Sequence, residues 1–452
     1  MNQGIMNLDE QLNRRNSQRR RRRRITLSVL AVVVAAALIA VGFVVVSLVN
    51  ANNNVLRSGA LAAVHQVPKL GKDTNILVMG LDSRVDEMGQ PLSPELYDAL
   101  DAGDQSVGGY NANVLMLIHI PADGTKATAI SIPRDDYVEL SGIPGGSGTY
   151  GKIKEAYGDA LSAEQTALLA AGMPNDNTTY QQARDAGRAS EIETVSTFLG
   201  NVHVDNFVEV TMAAFYEVAQ AVAPITVCTL NATKDTYSGA NFMAGLQQID
   251  AKQAMAYVRQ RRDTSDPSYA FSDLDRERRQ QAFVVDVIHQ LKQAGTFTNI
   301  PKMEAVLNAV SSNIVVNNGL NLITLIQQAT SITGGNITFT TLPITGFGTA
   351  PNGESINLVD VAQVQATVQQ LLAPAPVASP TAAAGAKAAA PGTPTVQGTT
   401  ASPGTASAAP APSASPSVPA KATAPAKAPA EATTTYSDWT GSLAGGSIPC
   451  VK

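Results

Sequence analysis

Two cysteines, four histidines and one tryptophan occur in 452 residues, and aromatic side chains make up only 5% of the chain. Cys228 and Cys450, with His65, His119, His203 and His289 scattered singly, offer no ligand spacing for a zinc-type site. Each histidine, read alone, is structural. Positive excess is missing too. The net charge of −5 disfavours nucleic acid as the main partner. Charged residues are also absent from Ile25–Asn50, and that absence is informative. About 25 residues at roughly 1.5 Å each span a hydrocarbon core of about 30 Å. Arg14, Arg15 and Arg19–Arg24 stand before the span and only Arg57 shortly after it. That asymmetry predicts a cytoplasmic tail over 1–24, a single transmembrane helix over 25–50, and the remainder outside the cell membrane. A cleaved signal peptide, the rival reading, has a shorter apolar core and a cleaner small-residue cleavage site. The arginine run in isolation resembles a nucleic-acid patch; beside a span it is a topology signal.

Residues 51–72 read as a stalk and 73–372 as one globular domain, long enough for a real core. From 373 to 435 the chain is mostly Ala, Pro, Ser, Thr and Gly, which cannot offset ordering entropy, so a disordered linker is predicted. The tail, 436–452, regains Trp439 and Cys450. An even cysteine count in an extracytoplasmic chain permits one disulfide, and a tail ending in cysteine after a linker suits stapling back to the domain; Cys228–Cys450 is the predicted pair.

Three strands are expected early in the domain: Asn75–Gly80, Asn113–Ile120 and Ala127–Pro133, the last two forming a hairpin across the Ala122-Asp123-Gly124 turn. If the first strand runs parallel to the third, Asp82, Asn113 and Arg134 meet on one rim of the sheet. The insertion over 85–110, with a helix over 93–102, reads as a lid or as a plain surface excursion. The Gly142–Gly151 loop lacks phosphate-loop spacing and reads as flexible. Helices are expected over 187–199 and 210–222, and Asp250 caps one that delivers Arg259 and Arg261. Asp273 or Asp275 then caps another, whose apolar face is Phe283, Val284, Val287, Ile288 and Leu291. Arg276 and Gln280, four apart, share a side of its first turns.

Arginine forks at a helix N-terminus suit phosphate oxygens. The bland alternative is a solvated, salt-bridged helix start neutralised by Asp263, Asp266, Asp273, Asp275 and Glu277. Likewise Asp82 alone reads as a turn former after Gly80, Arg134-Asp135 as a local ion pair, and Lys152 as a solvated lysine. Arg259 and Arg261 alone read as cations at a helix end.

Taken in order, NILVMGLDSR, NVLMLIHIPADGTKATAISIPRDDYV, GKIKEAYG, GLQQIDAKQAMAYVRQR and the D-x-x-R-x-x-R-Q-Q run at Asp273–Gln281 resemble the LytR-CpsA-Psr family of cell-envelope proteins over about residues 73–295. The ending SIPCVK is similar to actinobacterial members. The resemblance implies an α/β fold, an α-β-α sandwich around a central mixed β-sheet, with a lipid groove between sheet and helices. It implies a phosphotransferase that ligates a polyprenyl-pyrophosphate-linked glycopolymer, teichoic-acid-like or arabinogalactan-like, to peptidoglycan in cell wall biogenesis. Pyrophosphatase activity on the lipid is also implied. Carried over by position, Asp82, Arg84 and Arg134 are catalytic, and Lys152, Arg259, Arg261, Arg276 and Gln280 hold the pyrophosphate. Asp82 and Asn113 face a Mg²⁺ or Mn²⁺ ion. One departure stands out. Where the family usually opens the second strand with Arg-x-Asp, this chain has Asn111-Ala112-Asn113, which supplies neither charge, and Mg²⁺ favours carboxylates. Asp135 is a possible compensation, as are substrate phosphates that complete the metal shell. The alternative is a non-catalytic polyprenyl-pyrophosphate or envelope-binding protein. A transcriptional regulator fits poorly, because the cytoplasmic tail carries no helix-turn-helix pattern.

Overall fold

The computed structural model describes residues 55–373 and 433–452 apart from short gaps, the longest being 322–335. The expected membrane span and most of the expected linker lie outside the described residues. No helix among the described residues is long and apolar enough to cross a membrane.

Apolar alternation builds the centre. In Thr74–Leu81, Leu77, Met79 and Leu81 point to one face and Ile76 and Val78 to the other, the period of two expected of a strand. Ala112–Ile120 and Ala127–Ile132 pair with it in turn, antiparallel at each step, so the first and third strands run the same way. The full sheet has eight strands. On one side it continues through Asn206–Val210, Ile314–Asn317 and Leu56–Ser58, and on the other through Ile337–Thr341 and Leu443–Ala444. Parallel and antiparallel pairings alternate irregularly, so the sheet is mixed.

Helices cover both faces, which is why the inner strands read as continuous apolar runs. Ala156–Ala170, Asn177–Phe198 and Val361–Leu372 bury Tyr157, Ile192, Val195 and Val364 against Leu77, Leu117 and Ile130. On the other face Met212–Val222, Ala251–Arg259 and Asp273–Gln293 bury Ala219, Tyr257 and Phe283 against Ile76, Met116 and Ala129. Each such large side chain contributes about 1.5–3 kcal/mol when fully buried. The two helices over 156–170 and 177–198 touch closely at Gly187, where a Cβ would lie 2.8 Å from the Tyr157 carbonyl oxygen.

Several boundaries differ from the sequence reading. The expected stalk over 51–72 is partly domain: Leu56–Ser58 is an edge strand, and Ala60–Ala63 is a 3₁₀ turn with Ala60 in the core. The strand went unread because it is three residues long and holds Arg57, whose guanidinium reaches the Leu320 carbonyl at 2.9 Å. The end of the expected linker is also structured, since Thr433–Tyr436 forms a strand beside Ile448–Val451. The insertion helix is Pro94–Leu100, capped by Ser93 and ended by Asp101 in the left-handed conformation. Gly142–Gly151 is not wholly a flexible loop; Thr149–Lys152 pairs antiparallel with Tyr137–Leu140.

The tail is part of the domain. Ile448–Val451 inserts between Ile225–Thr229 and Thr433–Tyr436 in a second, four-stranded sheet. In that register Cys450 faces Cys228, and the two form a disulfide with Cα atoms 4.5 Å apart. Buried Arg278 donates to the carbonyls of Thr440 and Gly441 at 3.1 and 2.7 Å and also to that of Trp439. Arg279 Nε donates to the Lys452 carbonyl at 2.7 Å. The helix that opens the family signature therefore grips the tail. Cys450→Ser should lower unfolding stability by about 2–4 kcal/mol, measured as a fall in the denaturant midpoint with a steeper slope, because the uncrosslinked denatured chain is less compact. An unshifted midpoint would mean the arginine clamp holds the tail alone.

Candidate active site

Local chemistry sets the rim. A β-bulge falls at Gly80/Leu81, where a Cβ on Gly80 would lie 2.8 Å from the Val114 Cβ. Glycine thus permits close strand approach just before Asp82 leaves the sheet. Asp82 N–H donates to the Asn111 carbonyl at 3.0 Å, which fixes Asp82 beside the opening of the next strand. Pro133 ends the third strand and releases Arg134 at the same rim.

Ser272, not Asp273 or Asp275, caps the Asp273–Gln293 helix. Its Oγ accepts from Asp275 N at 3.2 Å, while Asp275 Oδ2 accepts from Ser272 N at 2.7 Å. This capping box leaves the Asp273 carboxylate available. Three guanidiniums converge on it. Arg134 binds both its oxygens, at 3.0 and 3.1 Å. Arg276 Nη2 binds at 2.8 Å and Arg261 Nε at 3.1 Å. Burial works against the Asp273 charge, yet Arg276, Arg134 and Arg261 together hold its carboxyl below the usual range. Arg276 itself is pushed down to about 10 by burial, and its Nε has no hydrogen-bond partner. A cation so desolvated gains most from an incoming anion.

Arg134 also donates to Asn113 Oδ1 at 2.5 Å. Its neighbour Asp135 accepts from Lys154 Nζ at 2.6 Å. Lys154 was not singled out from the sequence; its pairing with Asp135 beside Arg134 is the signal. Lys152 sits on the adjoining hairpin, where its Nζ meets Glu354 at 2.9 Å. A second group gathers at Asp82. Arg84 Nη1 pairs with Asp82 Oδ1 at 2.9 Å and its Nε donates to the Ala102 carbonyl at 2.6 Å. Arg259, in the field of Asp82 and Arg84, donates to the Leu100 and Asp101 carbonyls at 2.7 and 3.1 Å. It thereby caps the insertion helix.

Of the expected residues, then, Arg134, Arg261, Arg276 and Asn113 form one constellation and Asp82, Arg84 and Arg259 another, joined through Asn111–Asn113. Lys152 stands apart, tied to Glu354. Gln280 donates to the Val258 carbonyl at 3.3 Å and lines a narrow cleft with about 10 Å³ of free space, room for about one water molecule. Asn113, Val114, Leu115, Met116, Ser131, Ile132 and Glu277 line the rest.

A divalent cation fits this rim only in part. Asn113 is a poor ligand, because its oxygen already accepts from Arg134 and a cation there would face that guanidinium. Among the described residues no three His, Cys, Asp or Glu side chains converge as a metal site. Asp82 remains as a single carboxylate, with Arg84 on Oδ1 alone.

The insertion is anchored rather than free. Leu92 and Leu100 pack on Met212, Ala213 and Met255. Glu87 enters a buried network in which Arg184 meets Glu87 at 2.7 Å and also meets Glu209, while Arg188 binds Glu209 at 2.8 Å. Tyr157 Oη donates to Glu209 at 3.1 Å. Burial and neighbouring Glu209 raise Glu87; at Glu209 burial is outweighed by Arg188 and Arg184, which keep it charged.

The two arginine roles are separable. Arg261→Ala, at a side chain 49% exposed, should leave the thermal midpoint unchanged. Arg259→Ala should lower it, because two carbonyls at the end of the insertion helix lose their donor. Equal thermal shifts in the two variants would contradict this division.

A mixed α/β domain with a guanidinium cluster on one rim of its central sheet is the class of protein these features define. The chain belongs to the LytR_cpsA_psr family, whose sequence profile matches residues 46–373. It is 38% identical over 305 residues to the cell wall biosynthesis protein LcpA of Corynebacterium glutamicum, covering 67% of this chain and 56% of that protein. It therefore spans little more than half the length of that relative. It is 26% identical over 291 residues to a polyisoprenyl-teichoic acid–peptidoglycan teichoic acid transferase, TagU, of Oceanobacillus iheyensis, covering 64% of this chain and 72% of that one. Among solved structures, protein gbs0355 of Streptococcus agalactiae aligns with a TM-score of 0.49 at 21% identity, over 67% of this chain and 88% of that one. That score is too low to add weight.

Proposed function

We propose that this chain is a membrane-anchored phosphotransferase that moves a glycopolymer phosphate from a polyprenyl pyrophosphate carrier to a hydroxyl of peptidoglycan. The observation that carries the reading is the convergence of Arg134, Arg261 and Arg276 on Asp273, with Arg134 also on Asn113 at the strand rim. The relatives named for cell wall biosynthesis and teichoic acid transfer support the same class of chemistry. In this reading residues 25–50 cross the cell membrane, the arginine-rich tail stays in the cytoplasm, and the domain works outside.

Phosphoryl transfer requires positioning and charge stabilisation more than covalent help. Arg134 and Arg276 bind the two phosphates in place of Asp273, and Arg261, more exposed, meets the sugar-side phosphate. Lys152 and Lys154 extend the positive rim toward the acceptor. The acceptor oxygen bonds to the sugar-linked phosphorus as the bond to polyprenyl phosphate breaks, and the hydroxyl proton passes to solvent. Asp82, together with substrate phosphate oxygens, would hold a Mg²⁺ or Mn²⁺ ion. Such an ion, when bound, neutralises charge on the transferring phosphoryl group. Arg84 keeps Asp82 oriented toward the rim.

The full chain in detergent, given a lipid-linked donor and peptidoglycan fragments, should release polyprenyl phosphate. Asp82→Ala should abolish that release while leaving lipid binding measurable. Binding without release in the wild-type chain, with any divalent metal, would favour the non-catalytic binder, the reading that Asn111 and Asn113 support.

A further inference from the structure

Glu277 is the one carboxylate on the cleft wall, and the family signature leaves its position open: it is an x in D-x-x-R-x-x-R-Q-Q. It lies four residues after Asp273 and three before Gln280, so it shares their side of the helix. Its side chain is buried, and Oε2 has no hydrogen-bond partner. Buried polar atoms in native proteins are seldom left unpaired, and an orphan lining a substrate cleft calls for a missing partner.

The surrounding charges decide what that partner is. From its own helix Glu277 faces Asp273 and Arg276; from the turn after the third strand it faces Arg134 and Asp136. Both arginines are already bound to Asp273, and Arg134 also to Asn113. What remains for Glu277 is the Arg134 backbone N–H and the field of an Arg276 whose Nε alone is unpaired, and these do not outweigh its burial. Burial first, then Asp273, push the Glu277 carboxyl up to about 8. At neutral pH it is therefore mostly an uncharged acid carrying an O–H. A neutral acid among guanidiniums is a poor cation ligand and a good donor to phosphate oxygen.

We infer that Glu277 is a substrate-binding donor whose O–H is aimed at the phosphate that stays with the polyprenyl chain. This rests on the pyrophosphate reading above and adds a residue to it. The head group enters beside Asn113, Glu277 and Gln280. Arrival of the anion raises the carboxyl further, so the proton stays in place during binding. Asn113 then has a physical rationale. An aspartate there would add a third carboxylate beside Asp273 and Glu277.

The sign of the pH dependence follows. The donor exists below the raised value and is lost as pH climbs through about 8. The test uses the full chain in detergent with geranylgeranyl pyrophosphate as the probe and no added metal. Wild-type affinity should fall about tenfold from pH 7 to pH 9. Glu277→Gln, whose amide N–H still donates, should bind within about threefold of wild type at pH 7 and lose that fall. Glu277→Ala should be at least about tenfold weaker at pH 7, the loss of a hydrogen bond to a charged group. Infrared difference spectra of ligand-free wild type against Glu277→Gln should show a protonated carboxyl band at pH 7 that fades by pH 9. Absence of that band, or a Gln variant as weak as Ala, overturns the inference. Loss of Mn²⁺ binding in Glu277→Gln would overturn it in favour of a cation ligand. A band with the expected pH dependence but no probe binding at either pH overturns the pyrophosphate reading and this ligand assignment, while leaving the neutral acid standing.

Discussion

Arg134→Ala should reduce turnover on a polyprenyl-pyrophosphate donor at least about a hundredfold. Arg134 is the only side chain among the described residues that bridges both Asn113 on the strand rim and Asp273 on the helix. A guanidinium fork meeting phosphate contributes about 1.5–3 kcal/mol for each charge-assisted contact, and two such contacts are lost together. Arg134→Lys should recover little, since an ammonium cannot reproduce the fork. The fold should persist, because Asp273 keeps Arg276 and Arg261. Steady-state rates with near-ultraviolet circular dichroism check both halves. A lysine variant with wild-type turnover would show that charge alone, not the fork, is needed.

The largest stability effect is expected at Glu209→Ala. Glu209 is fully buried on the Asn206–Val210 strand and accepts from Arg184, Arg188 and Tyr157. Removing it leaves two buried arginines with Glu87 as their main counter-charge, and breaking a buried pair from one side costs about 3–5 kcal/mol. The thermal midpoint should drop by several degrees. Because Glu87 lies in the insertion that begins directly after Arg84, substrate affinity should fall with it. A midpoint within a degree of wild type would mean that the network adds no net stability.

These two sites differ in how far the sequence discloses them. The three early strands are legible because short continuous apolar runs stop at turn residues, Gly80, Asp123-Gly124 and Pro133, and the rim of Asp82, Asn113 and Arg134 follows from their strand directions. The arginine-rich helix start is legible from the acidic residues before an apolar face at 3.6-residue spacing. The Asn177–Phe198 helix is legible only in its second half. Its first half is written in Asn, Thr, Gln and Arg, and Arg184, Arg188 and Glu191 are buried although their letters signal solvent. A buried ion network defeats hydrophobic periodicity, since polar residues take core positions when they satisfy one another.

Asp273 shows a second way in which position hides role. As the first acidic residue before an apolar helix it reads as a cap, yet Ser272 caps and Asp273 gathers the arginines. The same ambiguity covers Arg259, which reads as phosphate-binding by its place in the chain and caps a distant helix in space. Leu56–Ser58 is an edge strand whose partner, Ile314–Asn317, lies hundreds of residues away, beyond the reach of any local pattern.

The central claim is that a lipid pyrophosphate replaces Asp273 as the partner of the three arginines. A crystal structure of the full chain with geranylgeranyl pyrophosphate tests this most directly. The account predicts phosphate oxygens within hydrogen-bonding distance of Arg134, Arg261 and Arg276. Phosphates bound elsewhere, with all three arginines still on Asp273, would contradict it.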